Sequence, residues 1–134
     1  MKHSLPAMTI LLLTVTLPVA AADMTESVLQ DYREQGAGPF NAERGRTLWQ
    51  KRVPQTDGSP ERSCATCHSS DLTMEGNHAR TGKPIKAMSP GFNPQRLTDR
   101  KKIEKWFKRN CKWTWGRECT VEEKGHLLAW LKEQ

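Results

Sequence analysis

An all-α fold, in one domain, is what this sequence predicts, and three observations carry it. Apolar residues recur at helical spacing in the segments that begin near Thr25, Asn41, Thr98 and Thr120. The stretches between them are rich in Gly, Pro and charge and show none of the alternation that marks strands. The third observation is the run Cys64-Ala65-Thr66-Cys67-His68. Two intervening residues let a single helical turn present both sulfurs together, and the next residue projects an imidazole beside them. Cys-x-x-Cys-His is the attachment signature of c-type haem, in which both thiols become thioethers and the histidine becomes an axial iron ligand. One such run predicts one haem c. The same cysteines would also serve a zinc site completed by Cys111 and Cys119, which leaves His68 idle, or a thioredoxin-like pair, which needs a βαβ context that is missing.

The elements follow in order. Residues 1–22 read as a secretory signal: Lys2 gives a positive start, Ala7 to Leu17 an apolar stretch, and Ala20-Ala21-Ala22 a small-residue cleavage site. An uncleaved membrane anchor fits less well, because Pro18 and Asp23 close the stretch short of the ~20 residues a span needs. Export with covalent haem points to the periplasm and to a mature domain of residues 23–134 with no membrane span. Of the 134 residues, removing 22 leaves 112, one domain's worth, with 20 basic and 15 acidic side chains once Lys2 is gone. A core this small has room for a porphyrin at its centre. In an oxidising compartment, Cys111 and Cys119, eight positions apart, form a disulfide; the alternative is two unpaired buried thiols.

Thr25 to Gln35 predicts a short helix with a capping Thr25 and apolar Val28, Leu29 and Tyr32, ended by Gly36-Ala37-Gly38-Pro39. Asn41 caps a second helix with Ala42, Gly45, Leu48 and Trp49 along one side. Gly45 with Trp49 resembles the N-terminal helix of class I cytochromes c, in which the small residue permits close crossing with the C-terminal helix. Ser69 to Pro94 reads as a loop around the haem edge, carrying Arg80, Lys83 and Lys86 as partners for propionates or as plain solvated charges. The third helix begins at Thr98, with Ile103, Trp106, Phe107 and Cys111 on its apolar face and Asn110 inside that stripe. Trp113 and Trp115 fall in the bridged loop, either walling the haem pocket or packing beneath it. Thr120 and Glu123 form a capping box for the last helix, which buries Leu127, Leu128, Trp130 and Leu131.

Function turns on the atom opposite His68. Met88, in a Pro-flanked loop, would make an ordinary electron carrier; Met74 lies only six residues after His68, too near to reach across. His78 and His126 would give bis-histidine ligation, although His126 falls off the leucine stripe and is expected to be exposed. Asn110 is the fourth candidate; read from spacing alone it is a helix C-cap, since Asn tolerates the left-handed conformation.

The run Thr81-Gly82-Lys83-Pro84-Ile85-Lys86-Ala87-Met88, then Asn93-Pro94, Leu97-Thr98-Asp99, Lys105 to Cys111, and Gly116-Arg117-Glu118-Cys119-Thr120 resembles the sphaeroides haem protein (SHP) family, oxygen-binding cytochromes c. The likeness spans nearly the whole mature chain. It implies a class I-like cytochrome c domain with His68 and Asn110 as axial ligands, a Cys111–Cys119 disulfide, and an electron donor such as a dihaem cytochrome c. It also implies binding of a diatomic gas (O2, NO or CO) to reduced haem after Asn110 lets go, with turnover of oxygen or nitric oxide left open. Eight basic residues between Arg96 and Lys112, against Asp99 and Glu104, make either a solvated helix face or a docking surface for an acidic redox partner. Nucleic acid is not an expected partner of an exported haem protein.

Overall fold

The computed structural model describes residues 24–134; the expected signal segment and cleavage site, with Asp23, lie outside the described residues. Among the described residues five helices and a two-stranded ribbon follow one another: α1 (Thr25–Glu34), α2 (Ala42–Gln50), α3 (Ala65–His68), β1 (Gly76–Asn77), β2 (Pro84–Ile85), α4 (Arg100–Trp115) and α5 (Val121–Leu131). The architecture is all-α, with β1 and β2 antiparallel and Gly76 opposite Ile85. Among the described residues no helix is long and apolar enough to cross a membrane.

The helix starts show why these residues fold as they do. Asn41 accepts from the Arg44 N–H (2.8 Å) and satisfies one of the unpaired donors of the first turn of α2. Asp99 does the same for Lys102 in α4, one residue later than the expected start. The box at α5 is reciprocal: the Glu123 N–H donates to Thr120 Oγ1 (3.1 Å) and the Thr120 N–H to Glu123 Oε2 (2.8 Å). In α1 the cap is Met24, and Thr25 is buried inside the first turn, so the capping role expected of Thr25 is corrected.

α5 is the central element. Gly125 to Leu131 are all buried, so from Gly125 onward the helix is enclosed on every side and not striped. α1 covers it with Val28, Leu29 and Tyr32, which meet Leu128 and Ile103 of α4 in one cluster. α2 crosses it where Gly45 meets His126: a β-carbon on Gly45 would lie 2.1 Å from the His126 carbonyl oxygen and 2.7 Å from Trp130 Cβ. Beside that crossing, Trp49 and Trp130 pack with ring centroids 5.4 Å apart, in a second cluster with Leu72, Trp115, Leu127 and Leu131. Burying side chains of this kind is worth about 1.5 to 3 kcal/mol each.

Three expectations change here. α4 does not stop at Asn110 but runs on to Trp115 and ends at Gly116, which takes the left-handed conformation (φ 70°). Asn110 is therefore not a C-cap, and Trp113 and Trp115 are helical. His126 is buried, not exposed: its Nδ1 accepts from the Asn41 N–H (2.9 Å), and its Nε2 faces Glu122 Oε1 at 3.0 Å. Trp106, expected in the core, is 47% exposed.

Candidate haem site

The site begins with α3, a single turn from Ala65 to His68 that follows Cys64. Its position is fixed from three sides. The Ser63 N–H donates to Thr66 Oγ1 (2.9 Å) and ties the turn at its entry. Trp49 of α2 donates from Nε1 to the Ser69 carbonyl (3.1 Å) and sets its ring 5.5 Å from that of His68. Below the turn, β1 passes so close that a β-carbon on Gly76 would lie 1.9 Å from the Cys67 carbonyl oxygen, a fit that only glycine allows.

Cys64 and Cys67 are unpaired and partly buried. Burial pushes the Cys64 thiol up to about 12, away from the thiolate character of a reactive redox cysteine. Burial first, and the Arg96 charge second, hold the His68 imidazole down to about 4, so it is neutral, the form that binds a metal. His68 Nδ1 is buried without a hydrogen-bond partner. Cys111 and Cys119 are joined to each other across Cα positions 5.6 Å apart. A zinc site drawing on all four cysteines is thereby excluded, and among the described residues no group of three or more candidate metal-binding side chains forms.

A cavity of about 500 Å³ opens beside α3. Its walls bring together Cys64, Cys67, His68, Asn110, Met88 and His78. Met74, which is exposed, and His126 are not part of it. Of the three propionate candidates only Arg80 lines the cavity; Lys83 and Lys86 do not.

The candidates on the wall differ in what already holds them. His78 is exposed, and its Nδ1 accepts from the Arg80 and Thr81 N–H groups of its own turn (both 3.3 Å). Met88 is half-buried and packs against the apolar cluster of α2, α4 and α5, a gap-filling role that suits a flexible thioether. Asn110 is half-buried in the middle of α4, where helices disfavour it, and its side-chain amide has no hydrogen-bond partner among the described residues.

These residues fit a haem. The lining is largely apolar, from Trp49 and Ile85 to Phe107, Leu127 and Leu131, and it carries the cations Arg80, Arg96, Lys102 and Arg109 against one acid, Asp99. An apolar plate with two carboxylates is what such a lining complements. Sequence reasoning missed Arg96, Trp49 as the neighbour of His68, and Gly76. Trp49 left a trace through its spacing from Gly45, and Arg96 only as the first of the eight basic residues up to Lys112.

Helices closed around such a cavity, with a Cys-x-x-Cys-His turn in its wall, define the class of c-type cytochromes. Comparison with known proteins gives the same class and narrows it. The chain is 45% identical over 119 residues, 87% of its own length and 90% of the relative's, to cytochrome c-type protein SHP of Cereibacter sphaeroides. The solved structure of oxidized SHP, described as an oxygen binding cytochrome c, superimposes with a TM-score of 0.73 at 43% identity, covering 82% of this chain and 96% of that one. A solution structure of cytochrome c'' from Methylophilus methylotrophus, concerned with haem-ligand detachment, matches at a TM-score of 0.70 and 27% identity over 82% of this chain and 93% of that one. A family model described as a domain of unknown function (DUF1924) matches residues 35–131. The chain belongs to the SHP family of cytochromes c, and its cofactor is one haem c.

Proposed function

We propose that this cytochrome is a periplasmic gas-binding protein with His68 and Asn110 as axial ligands, Asn110 leaving when the protein is reduced. The observation that carries the reading is the Asn110 amide, half-buried on the cavity wall in mid-helix with no hydrogen-bond partner among the described residues. A carboxamide set among the apolar residues of this wall has a free oxygen to offer whatever the cavity holds. Haem iron supplies one-electron chemistry and, when ferrous, a position for O2, NO or CO.

The chain's own residues do the rest. Cys64 and Cys67 fix the group through thioethers, and His68 binds from the α3 side. The amide oxygen of Asn110 is a neutral, hard donor; it suits ferric iron and competes poorly for the softer ferrous ion. Once released, Asn110 keeps an N–H that can donate to an incoming diatomic ligand. The names of the relatives support both halves, one an oxygen binding cytochrome c and the other studied for haem-ligand detachment.

Electrons arrive from an acidic redox partner such as a dihaem cytochrome c. In support, Lys101, Lys105 and Arg109 are exposed without a carboxylate partner among the described residues, and Lys105 and Arg109 flank the exposed ring of Trp106 (5.9 and 5.1 Å).

The test is the optical and spin-state spectrum of Asn110→Ala beside the wild type in both oxidation states. Wild-type ferrous protein is expected to be high-spin and to take up carbon monoxide, and Asn110→Ala is expected to alter the ferric spectrum alone. Low-spin ferrous protein without added ligand would overturn release. A sulfur-to-iron band in the ferric spectrum would assign Met88 and make the protein a plain electron carrier.

A further inference from the structure

Arg96 is the one cation on the cavity wall that is both half-buried and rigidly held. Its Nε donates to the Ala87 carbonyl (2.9 Å) and one Nη to the Lys86 carbonyl (2.6 Å), so the loop bearing Met88 grips the guanidinium from one side. A guanidinium has five N–H donors. Two are used, and the other three meet no acceptor among the described residues. No carboxylate lies within ion-pairing distance either: the cavity's single acid, Asp99, is occupied with the Lys102 N–H and ammonium. The neighbouring cations differ, since Arg80, Lys102 and Arg109 are exposed to solvent.

A partly desolvated, unpaired cation is expensive, and burial already lowers the Arg96 proton affinity below the usual arginine range. What relieves it must be anionic, must reach it inside the cavity, and must suit a planar fork. A carboxylate meets all three conditions.

We infer that Arg96 grips a haem propionate, its guanidinium donating from the cavity wall to the carboxylate while the Lys86 and Ala87 carbonyls hold it in place. The inference rests on the cavity being the haem site. It makes Arg96 a positioning residue with an electrostatic effect, because its charge lines the same cavity as His68. A fixed cation near the iron favours the ferrous state, and a propionate paired with it would otherwise oppose that state.

The experiment uses the matured holoprotein and the variants Arg96→Gln and Arg96→Lys, reading the propionate bending band by resonance Raman and the midpoint potential by redox titration. For Arg96→Gln the propionate band is expected to shift and the ferrous-to-ferric ratio at fixed ambient potential to fall about tenfold, which is about 59 mV for one electron. Arg96→Lys keeps the charge but not the fork, so the band is expected to shift while the potential returns most of the way to wild type. A propionate band unmoved in both variants overturns the inference, even if their thermal stability falls, since a merely structural brace would give that pattern. Should a variant fail to mature, a crystal structure of the wild-type holoprotein decides: a guanidinium nitrogen within hydrogen-bond reach of a propionate oxygen supports the inference, and a separation beyond ~4 Å overturns it. Haem bound at Cys64 and Cys67 with Arg96 away from both propionates sinks this inference alone. A matured chain without covalent haem sinks the haem reading along with it.

Discussion

Replacing Gly45 by alanine tests the packing that holds the cavity open. The added methyl would sit 2.1 Å from the His126 carbonyl oxygen and 2.7 Å from both the His126 carbonyl carbon and Trp130 Cβ. None of these is the loose end of a side chain; two belong to the backbone of α5. Ordinary contact begins near 3.4 Å, so α2 and α5 must separate by about 1.3 Å, the difference between that and 2.1 Å. Overpacking of this kind costs ~1 to 3 kcal/mol, and a clash with immovable helix backbone belongs at the upper end. For a domain of this size each kcal/mol moves the melting midpoint by roughly 4 °C, which gives a fall of about 12 °C. The assay is thermal unfolding of the ferric holoprotein by far-ultraviolet circular dichroism. Gly91→Ala is the control, because a β-carbon there meets nothing nearer than 3.5 Å. If Gly45→Ala melts within ~2 °C of wild type, the close crossing of α2 and α5 is not what sets their spacing.

Three further outcomes follow from the same structure. His126→Leu keeps the volume but strips the Asn41 N–H of its acceptor, and is expected to cost about 1 to 3 kcal/mol in urea unfolding; a cost below ~0.5 would mean that water replaces the ring nitrogen freely. The double variant Cys111→Ser, Cys119→Ser opens a short loop and should lose about 2 to 3 kcal/mol of stability, so equal denaturation midpoints for variant and wild type would count against the bridge. The third concerns acid. Arg117, hydrogen-bonded to Glu123, holds that carboxyl below the usual glutamate range. A carboxyl depressed in the folded state stabilises above the unfolded value near pH ~4.3, and its contribution fades as pH falls through the folded value. Glu123→Gln should therefore be less stable than wild type at neutral pH and converge with it in acid, and a gap that stays constant down to low pH would refute the assignment.

Much of the helical frame was legible because local chemistry and tertiary packing agree in it. Asn41 and the Thr120–Glu123 box are strong caps in sequence and in space, and Gly45 with Trp49 marks the crossing with α5. The readings that failed did so where packing overrode a local preference. Asn110 has the chemistry of a helix end, but no breaker follows until Gly116, and buried Cys111, Thr114 and Trp115 draw α4 onward. His126 looked exposed because a stripe was assumed for α5, whereas Gly125 to Leu131 are all buried and the Asn41 N–H supplies the partner that lets a histidine stay inside. Arg96 left no periodic signal, since its role depends on carbonyls nine and ten residues earlier that only the folded loop brings to it.

The segment just before Cys64 carries a consequence of its own. Val53 and Arg62 pair as an isolated bridge, Gln55 donates to the Thr114 carbonyl (3.1 Å), and Arg62 donates to the Trp113 carbonyl (3.1 Å) while lying 4.5 Å over the Trp113 ring. A strap thus runs from the turn that bears the cysteines directly onto the last turns of the helix that bears Asn110. Those two walls are tied to each other by hydrogen bonds within the chain, like the jaws of a calliper joined at the beam. The proposed exchange of Asn110 at the metal would draw on such a frame, and here the frame is a neighbour in sequence of Cys64 and Cys67.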